Sequence, residues 1–344
     1  MKAPSFEIAH GTTCGSDHLG EFGVPGISIN QDASYCFQLD NVTIAVVSDG
    51  CSDRLESGVG ATLLCRFFVA AVEANISMLK KHSLELFAKR VQDEIVTRIQ
   101  SVCMVSASSG GKKAHSMTQV ADDLFLCTLI GVVLTPELTV ILAAGDGVWS
   151  VNNKPLQKLG PFPRNEPPYL GYLVRGNHLE QSELKVVATY PTPKVSAVWI
   201  GSDGCADLPP DFLSKMNSQR ATFTNPEFLN RELRKLNSQS VTLSGASEKL
   251  KLIVTPTWTE RMLPDDTTVI LINKVPEPFE QPHRPIGQPL TNTTPVPKHP
   301  LPQDTQSEGW TFPALFRGTG SKKGSGEKGV DSYSKGESDD PENS

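Results

Sequence analysis

Two apolar runs of this chain break in the same way, at a carboxylate followed by glycine. Val42-Thr43-Ile44-Ala45-Val46-Val47 leads into Ser48-Asp49-Gly50, and Val195-Ser196-Ala197-Val198-Trp199-Ile200 leads through Gly201 into Ser202-Asp203-Gly204. Each run reads as a buried β-strand. The glycine lets the backbone turn sharply and brings its own carbonyl close to whatever the carboxylate binds. A third acidic pair, Asp265-Asp266, directly precedes the strand-like run Thr267 to Ile272. A single Asp-Gly is more often a β-turn than a site; its recurrence at strand ends argues for chemistry. Carboxylates gathered on one sheet edge repel unless a cation sits among them. Carboxylate oxygens with room for water suit Mg²⁺ or Mn²⁺, so the pattern points to metal-assisted hydrolysis.

The bulk numbers bound the rest. The chain has 344 residues, 38% of them hydrophobic, with a net charge of -6. That is enough for one large domain or two small ones. The acidic balance and lack of a long basic run make nucleic acid and anionic membrane poor partners. The seven cysteines (Cys14, Cys36, Cys51, Cys65, Cys103, Cys127 and Cys205) are widely spaced without C-x-x-C. This argues against a disulfide frame or a zinc site and for small buried thiols in a reducing cytoplasm. Met1 to Gly15 shows no apolar signal-peptide region. No run approaches the ~18 uninterrupted apolar residues of a membrane span.

The elements that must position the carboxylates follow from periodicity. Strand-like pieces occur at Phe6-Ile8, Ala33-Leu39 and Val42-Val47, then two helical segments at Gly58-Leu79 and Ser83-Val102. The first has an apolar stripe through Leu64, Phe67, Phe68 and Val72; the second through Leu84, Phe87, Val91, Ile95 and Ile99. After a Gly/Ser loop, Ser106 to Lys113, come strands at Leu124-Leu134, Leu138-Ala144, Val148-Val151, Leu184-Ala188 and Val195-Ile200. A helical insert, Pro209 to about Leu252, precedes the final strand. Strands and helices in blocks favour antiparallel sheets flanked by helix pairs, an α+β sandwich. Residues 275–344 turn Pro-rich and then Gly/Ser/Lys-rich, a composition that buries too little apolar area to order. Trp310 to Phe316 is an aromatic cluster within that tail; a docking motif for a partner and a chance cluster are the two readings of it.

The order of motifs is specific where each alone is weak. Asn30-Gln31-Asp32-Ala33, Val47-Ser48-Asp49-Gly50, Thr128 to Val133 with Ala144-Gly145-Asp146-Gly147, Ser202-Asp203-Gly204 and Asp265-Asp266-Thr267-Thr268-Val269-Ile270 follow one another. Over residues 1 to about 274 this series resembles the PPM-type, protein phosphatase 2C-like serine/threonine phosphatases. Ser16-Asp17-His18 and Asn30-Gln31-Asp32-Ala33 resemble a divergent bacterial branch. The resemblance implies an αββα four-layer sandwich with a binuclear Mg²⁺ or Mn²⁺ site at one end. It implies that Asp49 bridges the ions, the Gly50 carbonyl binds the first, and Asp203 and Asp265 hold the second. Asp32 then acts through bound waters, and Asp146 with Asp207 would serve a third ion. A flap shaping substrate access is expected within 205–262. The implied reaction is hydrolysis of phosphomonoesters on a protein substrate, by water or hydroxide activated between the two ions.

The pattern also departs from the family. Asp49-Gly50 is followed by Cys51 where familiar members carry a histidine credited as general acid. The stretch Gly23-Val24-Pro25-Gly26-Ile27 lacks the arginine that binds substrate phosphate, leaving His18, Arg54, Arg164 and Arg175 as candidate cations. Of these, Arg54 is the expected phosphate ligand, because it follows Asp53. Gln31 replaces the usual glutamate before Asp32. These departures motivate a second reading, a phosphatase-like binding or regulatory module with weak or no catalysis.

Overall fold

The computed structural model describes residues 5–15, 18, 29–39, 41–54, 56–80, 83–109, 115–175, 182–239, 241–242, 257–258 and 263–275. The chain divides into two units, Met1–Phe279 and Glu280–Ser344. The second unit, which carries most of the expected tail, lies outside the described residues.

The continuous apolar runs become strands buried on both faces. One five-stranded sheet has the order β2 (Ala33–Leu39), β3 (Val42–Ser48), β4 (Leu129–Leu134), β5 (Leu138–Ala144), β8 (Lys185–Pro191). The other has the order β1 (Phe6–Thr13), β12 (Thr267–Lys274), β9 (Ala197–Gly201), β6 (Gly147–Val151), β7 (Gln157–Leu159). Every pairing in both is antiparallel. Successive residues of a strand point to opposite faces, and the core shows it. Val47, Ile130, Ile141, Ile200 and Ile270 fill the space between the sheets. Val46, Leu129 and Val140 point the other way, into a layer closed by Leu64, Phe68, Phe87 and Ile95. Those four come from α1 (Ser57–Asn75) and α2 (Leu84–Ser109).

On the far side, Val269, Leu271 and Trp199 pack against Phe212, Leu213, Met216, Leu229 and Leu233. These lie on α4 (Phe212–Ser218) and α6 (Phe228–Gln239), with α5 (Arg220–Thr224) between them. A two-residue ladder, β10 (Val241–Thr242) with β11 (Thr257–Trp258), follows. The result is the expected αββα sandwich. With helices on both outer faces, these antiparallel sheets lose the polar alternation of a half-solvated sheet.

Three details differ from the sequence reading. The second helix continues to Ser109, into the expected Gly/Ser loop. A further helix, α3 (Met117–Leu124), ends on the first residue of the expected Leu124–Leu134 strand, which begins instead at Leu129. Its signal was local: Ser116 accepts from the Gln119 N–H while the Gln119 side chain accepts from the Ser116 N–H, a capping box. The short β7 also had no periodic signal. Separately, Ser57–Lys80 is long and apolar enough to cross a membrane by length and composition alone. Its buried face is part of the layer under the first sheet.

Gly60 shows how tightly α3 is held. A Cβ at Gly60 would stand 1.5 Å from the Leu124 carbonyl oxygen. In an isolated helix, Gly→Ala stabilises by ~1 kcal/mol. Here Gly60→Ala is expected to destabilise by ~1–3 kcal/mol through overpacking. Urea unfolding checks this: a midpoint equal to or above that of the parent protein would contradict the packing.

Candidate active site

Strand register within each sheet, and the packing of the two sheets face to face, bring the carboxylates together. Ala33 pairs with Ser48, so Asp32 and Asp49 extend from the same end of neighbouring strands. In the facing sheet Gly201 pairs with both Val269 and Val148, which carries Asp203, Asp265 and Asp146 to that end too. Asp146 sits where the chain leaves one sheet, at β5, and enters the other, at β6. Its neighbours Gly145 and Gly147 have φ of 94° and 127°, backbone that L side chains adopt rarely, and this permits the crossing. Asp49, Asp146, Asp203 and Asp265 line a cleft of about 580 Å³ together with Gly50, Cys51 and Thr128. Asp32 stands behind, its Oδ2 accepting from the Ser202 hydroxyl at 2.7 Å.

These groups feel one another. Burial raises Asp49 well above the ordinary carboxylate range, and the charges of Asp32, Asp203, Asp265 and Asp146 push it further. Burial, with the nearby charge of Asp266, raises Asp32 to about 7 against the hydrogen bond from Ser202. Burial and Asp203 raise Asp146 to about 7 and Asp265 to about 6. The buried Oδ1 of Asp32 and Oδ1 of Asp203 meet no hydrogen-bond donor among the described residues.

The Gly50 carbonyl is also available. The antiparallel bridge between Gly50 and Cys127 is closed by the flanking bonds Thr128 N–H to Asp49 O (2.8 Å) and Cys51 N–H to Leu126 O (2.9 Å). Gly50 is therefore in a non-hydrogen-bonded position of the ladder. Hard oxygen donors, orphaned buried carboxylate oxygens and mutual repulsion fit a divalent cation site. Among the described residues, no three His, Cys, Asp or Glu side chains converge closely enough to hold an ion by themselves. Ligation there calls for the backbone carbonyl and water as further donors, as Mg²⁺ tolerates well.

Other expected residues fall elsewhere. His18 does not line the cleft among its described residues. It is buried, with Nδ1 3.1 Å from Asp266 Oδ2 and Nε2 3.8 Å from Asp265 Oδ1. Behind the cleft, Asp266 also accepts from the N–H of Gly15 (2.7 Å) and of Gln31 (2.6 Å). His18 is thus part of the frame that fixes the start of β12. Asp207 is exposed and is not among the lining residues, so only Asp146 of the pair expected for a third ion reaches the cleft.

Gln31, expected as a lost acidic group, does something a carboxylate would not. Its Nε2 donates to the Arg54 carbonyl, to Ser57 Oγ at 2.8 Å and, more weakly, to the Cys51 carbonyl at 3.4 Å. The Ser57 hydroxyl, with one proton to donate, lies within hydrogen-bond reach of the same two carbonyls, 2.7 Å from that of Arg54 and 3.0 Å from that of Cys51. The loop after Asp49-Gly50 is therefore pinned by an amide that supplies donors, and glutamate would bring acceptors.

The cleft wall among the described residues comes from another segment. The described part of 205–262 packs as α4–α6 on the outer sheet face, and 243–256 and 259–262 lie outside the described residues. The wall is formed by Arg164, Glu166, Pro167, Tyr169, Tyr172 and Arg175. Arg54 lines it too, 3.8 Å from Asp123, and Arg175 is paired with Asp122, both acids being at the end of α3. The tyrosines carried no sequence signal.

The protein phosphatase 2C family model matches residues 26–251. Among curated proteins none matches the chain. Solved structures resemble it at low identity. One is the serine/threonine phosphatase Stp1 from Staphylococcus aureus: 13% identity, 79% of this chain and 97% of that one covered, TM-score 0.44. Another is PppA, described as a key regulatory component of T6SS in Pseudomonas aeruginosa: 13% identity, 79% and 99% covered, TM-score 0.45. A bacterial serine phosphatase matches at 13% identity, 78% and 98% covered, TM-score 0.45.

The raised carboxylates give a signed expectation. A group with an ordinary value of 3.8 and a folded value near 7 binds more protons in the folded state between those limits. Its contribution to stability is full below the ordinary value and is lost as pH rises through the folded value. Metal-free protein should therefore lose Tm from about pH 4 to about pH 7 more steeply than the Asp49→Asn variant. Parallel Tm-against-pH curves for the two would contradict the coupling.

Proposed function

The chain belongs to the protein phosphatase 2C family, and from that premise we propose that it hydrolyses phosphoserine and phosphothreonine in proteins with two bound Mg²⁺ or Mn²⁺ ions. The observation that carries the reading is the group of Asp32, Asp49, Asp146, Asp203 and Asp265, held at one end of two sheets with orphaned buried oxygens on Asp32 and Asp203. Asp49, Asp203, Asp265 and the Gly50 carbonyl would hold the ions, with Asp146 at the cleft edge for a further one. Bound there, divalent cations lower the pKa of water towards neutrality and neutralise phosphoryl oxygens.

The chain's own groups supply the rest. Asp32 stands next to Asp49, is fixed by the Ser202 hydroxyl, and keeps its Oδ1 unpartnered. Beside the carboxylates that would carry the cations, it is placed to orient bound water and accept its proton. The acids of the floor repel a phosphate until neutralised, so binding of anionic substrate depends on cations being present first. No side chain is needed as a nucleophile; burial raises the thiols of Cys127 and Cys205, which keeps them as thiols.

A second reading rests on two sequence facts, Cys51 in place of the usual histidine and no arginine in Gly23 to Ile27. In that reading the protein binds metal and phosphorylated partners with feeble turnover. Hydrolysis of a phosphopeptide and of p-nitrophenyl phosphate by the full chain separates the two. The enzyme reading expects Mn²⁺-stimulated turnover that falls on the order of 100-fold or more in Asp49→Ala with Asp203→Ala. Turnover indistinguishable from that double variant at saturating Mn²⁺ would sink the enzyme reading. Calorimetric metal binding without turnover would favour the module.

A further inference from the structure

Three guanidinium groups reach the cleft, and they are not equivalent. Arg175 is committed: it pairs with Asp122 and stacks over the Tyr172 ring, its guanidinium carbon 5.4 Å from the ring centroid. Arg54 lies 3.8 Å from Asp123. Arg164 has no carboxylate partner among the described residues, although Glu166 lines the same wall. It is exposed, and its backbone sits at φ 60°, ψ 16°. A bulky residue in that left-handed region is uncommon, and such positions cluster at ligand clamps.

Arg175, held by Asp122 on α3, anchors the far end of the wall segment, so Arg164 is carried on a tethered piece of backbone. An arginine whose fork is not already filled by a carboxylate keeps its donors for an incoming oxyanion. The same cleft is lined by the acids that would carry the cations.

We propose that Arg164 captures the substrate phosphate, in place of the arginine that the Gly23–Ile27 stretch lacks, and that Arg175 acts as a positioning residue for it. This assignment replaces the sequence expectation of Arg54 and rests on the phosphatase reading for the identity of the ligand. It places the phosphate between a guanidinium fork on one wall and the cation-bearing floor on the other. Tyr169 and Tyr172, with ring centroids 5.4 Å apart, form the aromatic shelf beside it for the adjoining part of the substrate.

The test uses the full chain with saturating Mn²⁺, inorganic phosphate as the calorimetric ligand, and phosphopeptide turnover measured in parallel. Arg164→Ala is expected to weaken phosphate binding by about 10-fold or more and to raise KM with a smaller change in kcat. Arg164→Lys should recover part of the binding, because the charge returns without the fork. Arg98→Ala, on α2 and paired with Glu94, is the folded control and should bind as the parent does. Parent-like phosphate binding by Arg164→Ala, loss in Arg54→Ala instead, or no phosphate binding by the parent protein would each overturn the assignment. If the parent binds phosphate through Arg164 but hydrolyses nothing, the phosphatase reading fails and the assignment stands. If the parent hydrolyses phosphopeptide and Arg164→Ala matches it in KM, the reverse holds.

Discussion

The structure depends on like charges being forced together. Five aspartates leave the ends of strands whose register is fixed by buried apolar faces on both sides. A slip of one residue would turn each strand inside out, so the carboxylates cannot separate without undoing the layers beneath them. Burial first, and then the neighbouring charges, raise the proton affinity of Asp32, Asp49, Asp146 and Asp265. A core of this size holds such a cluster in place; a partner of opposite charge turns it from a liability into a site.

The frame around the cluster is built from backbone and neutral donors. Ser202 links Asp32 to β12, donating to the carboxylate while accepting from the Thr268 N–H at 3.0 Å. Asp266 gathers the Gly15 and Gln31 amides with His18 behind it, and the Gln31 amide pins the loop that follows Asp49-Gly50. One of the departures from the family pattern, Gln31, therefore sits in the frame.

Much of this was legible because burial on two faces leaves a plain record. The runs around Val42–Val47, Val195–Ile200 and Thr267–Ile272 have few polar interruptions, and the carboxylates at their ends are adjacent to them in sequence. The sandwich followed from blocks of strands and amphipathic helices. What stayed hidden depends on distant contacts. Met117–Leu124 is only two turns long, and its clearest local signal is the cap at Ser116. His18 looked like a cleft cation until Asp266, 248 positions later, claimed it. The wall at 163–175 has neither helical nor strand period, being short 3₁₀ turns, so its approach to the site follows from packing rather than pattern.

The central claim is that this acidic cluster gathers divalent cations in one shared place. Anomalous diffraction at the manganese edge, from crystals of the full chain soaked in Mn²⁺, tests it most directly. The account predicts two peaks in the cleft, both within coordination distance of Asp49 and divided between Gly50 on one side and Asp203 with Asp265 on the other. Peaks confined to the surface, with the carboxylates of the cleft left bare at saturating Mn²⁺, would contradict it.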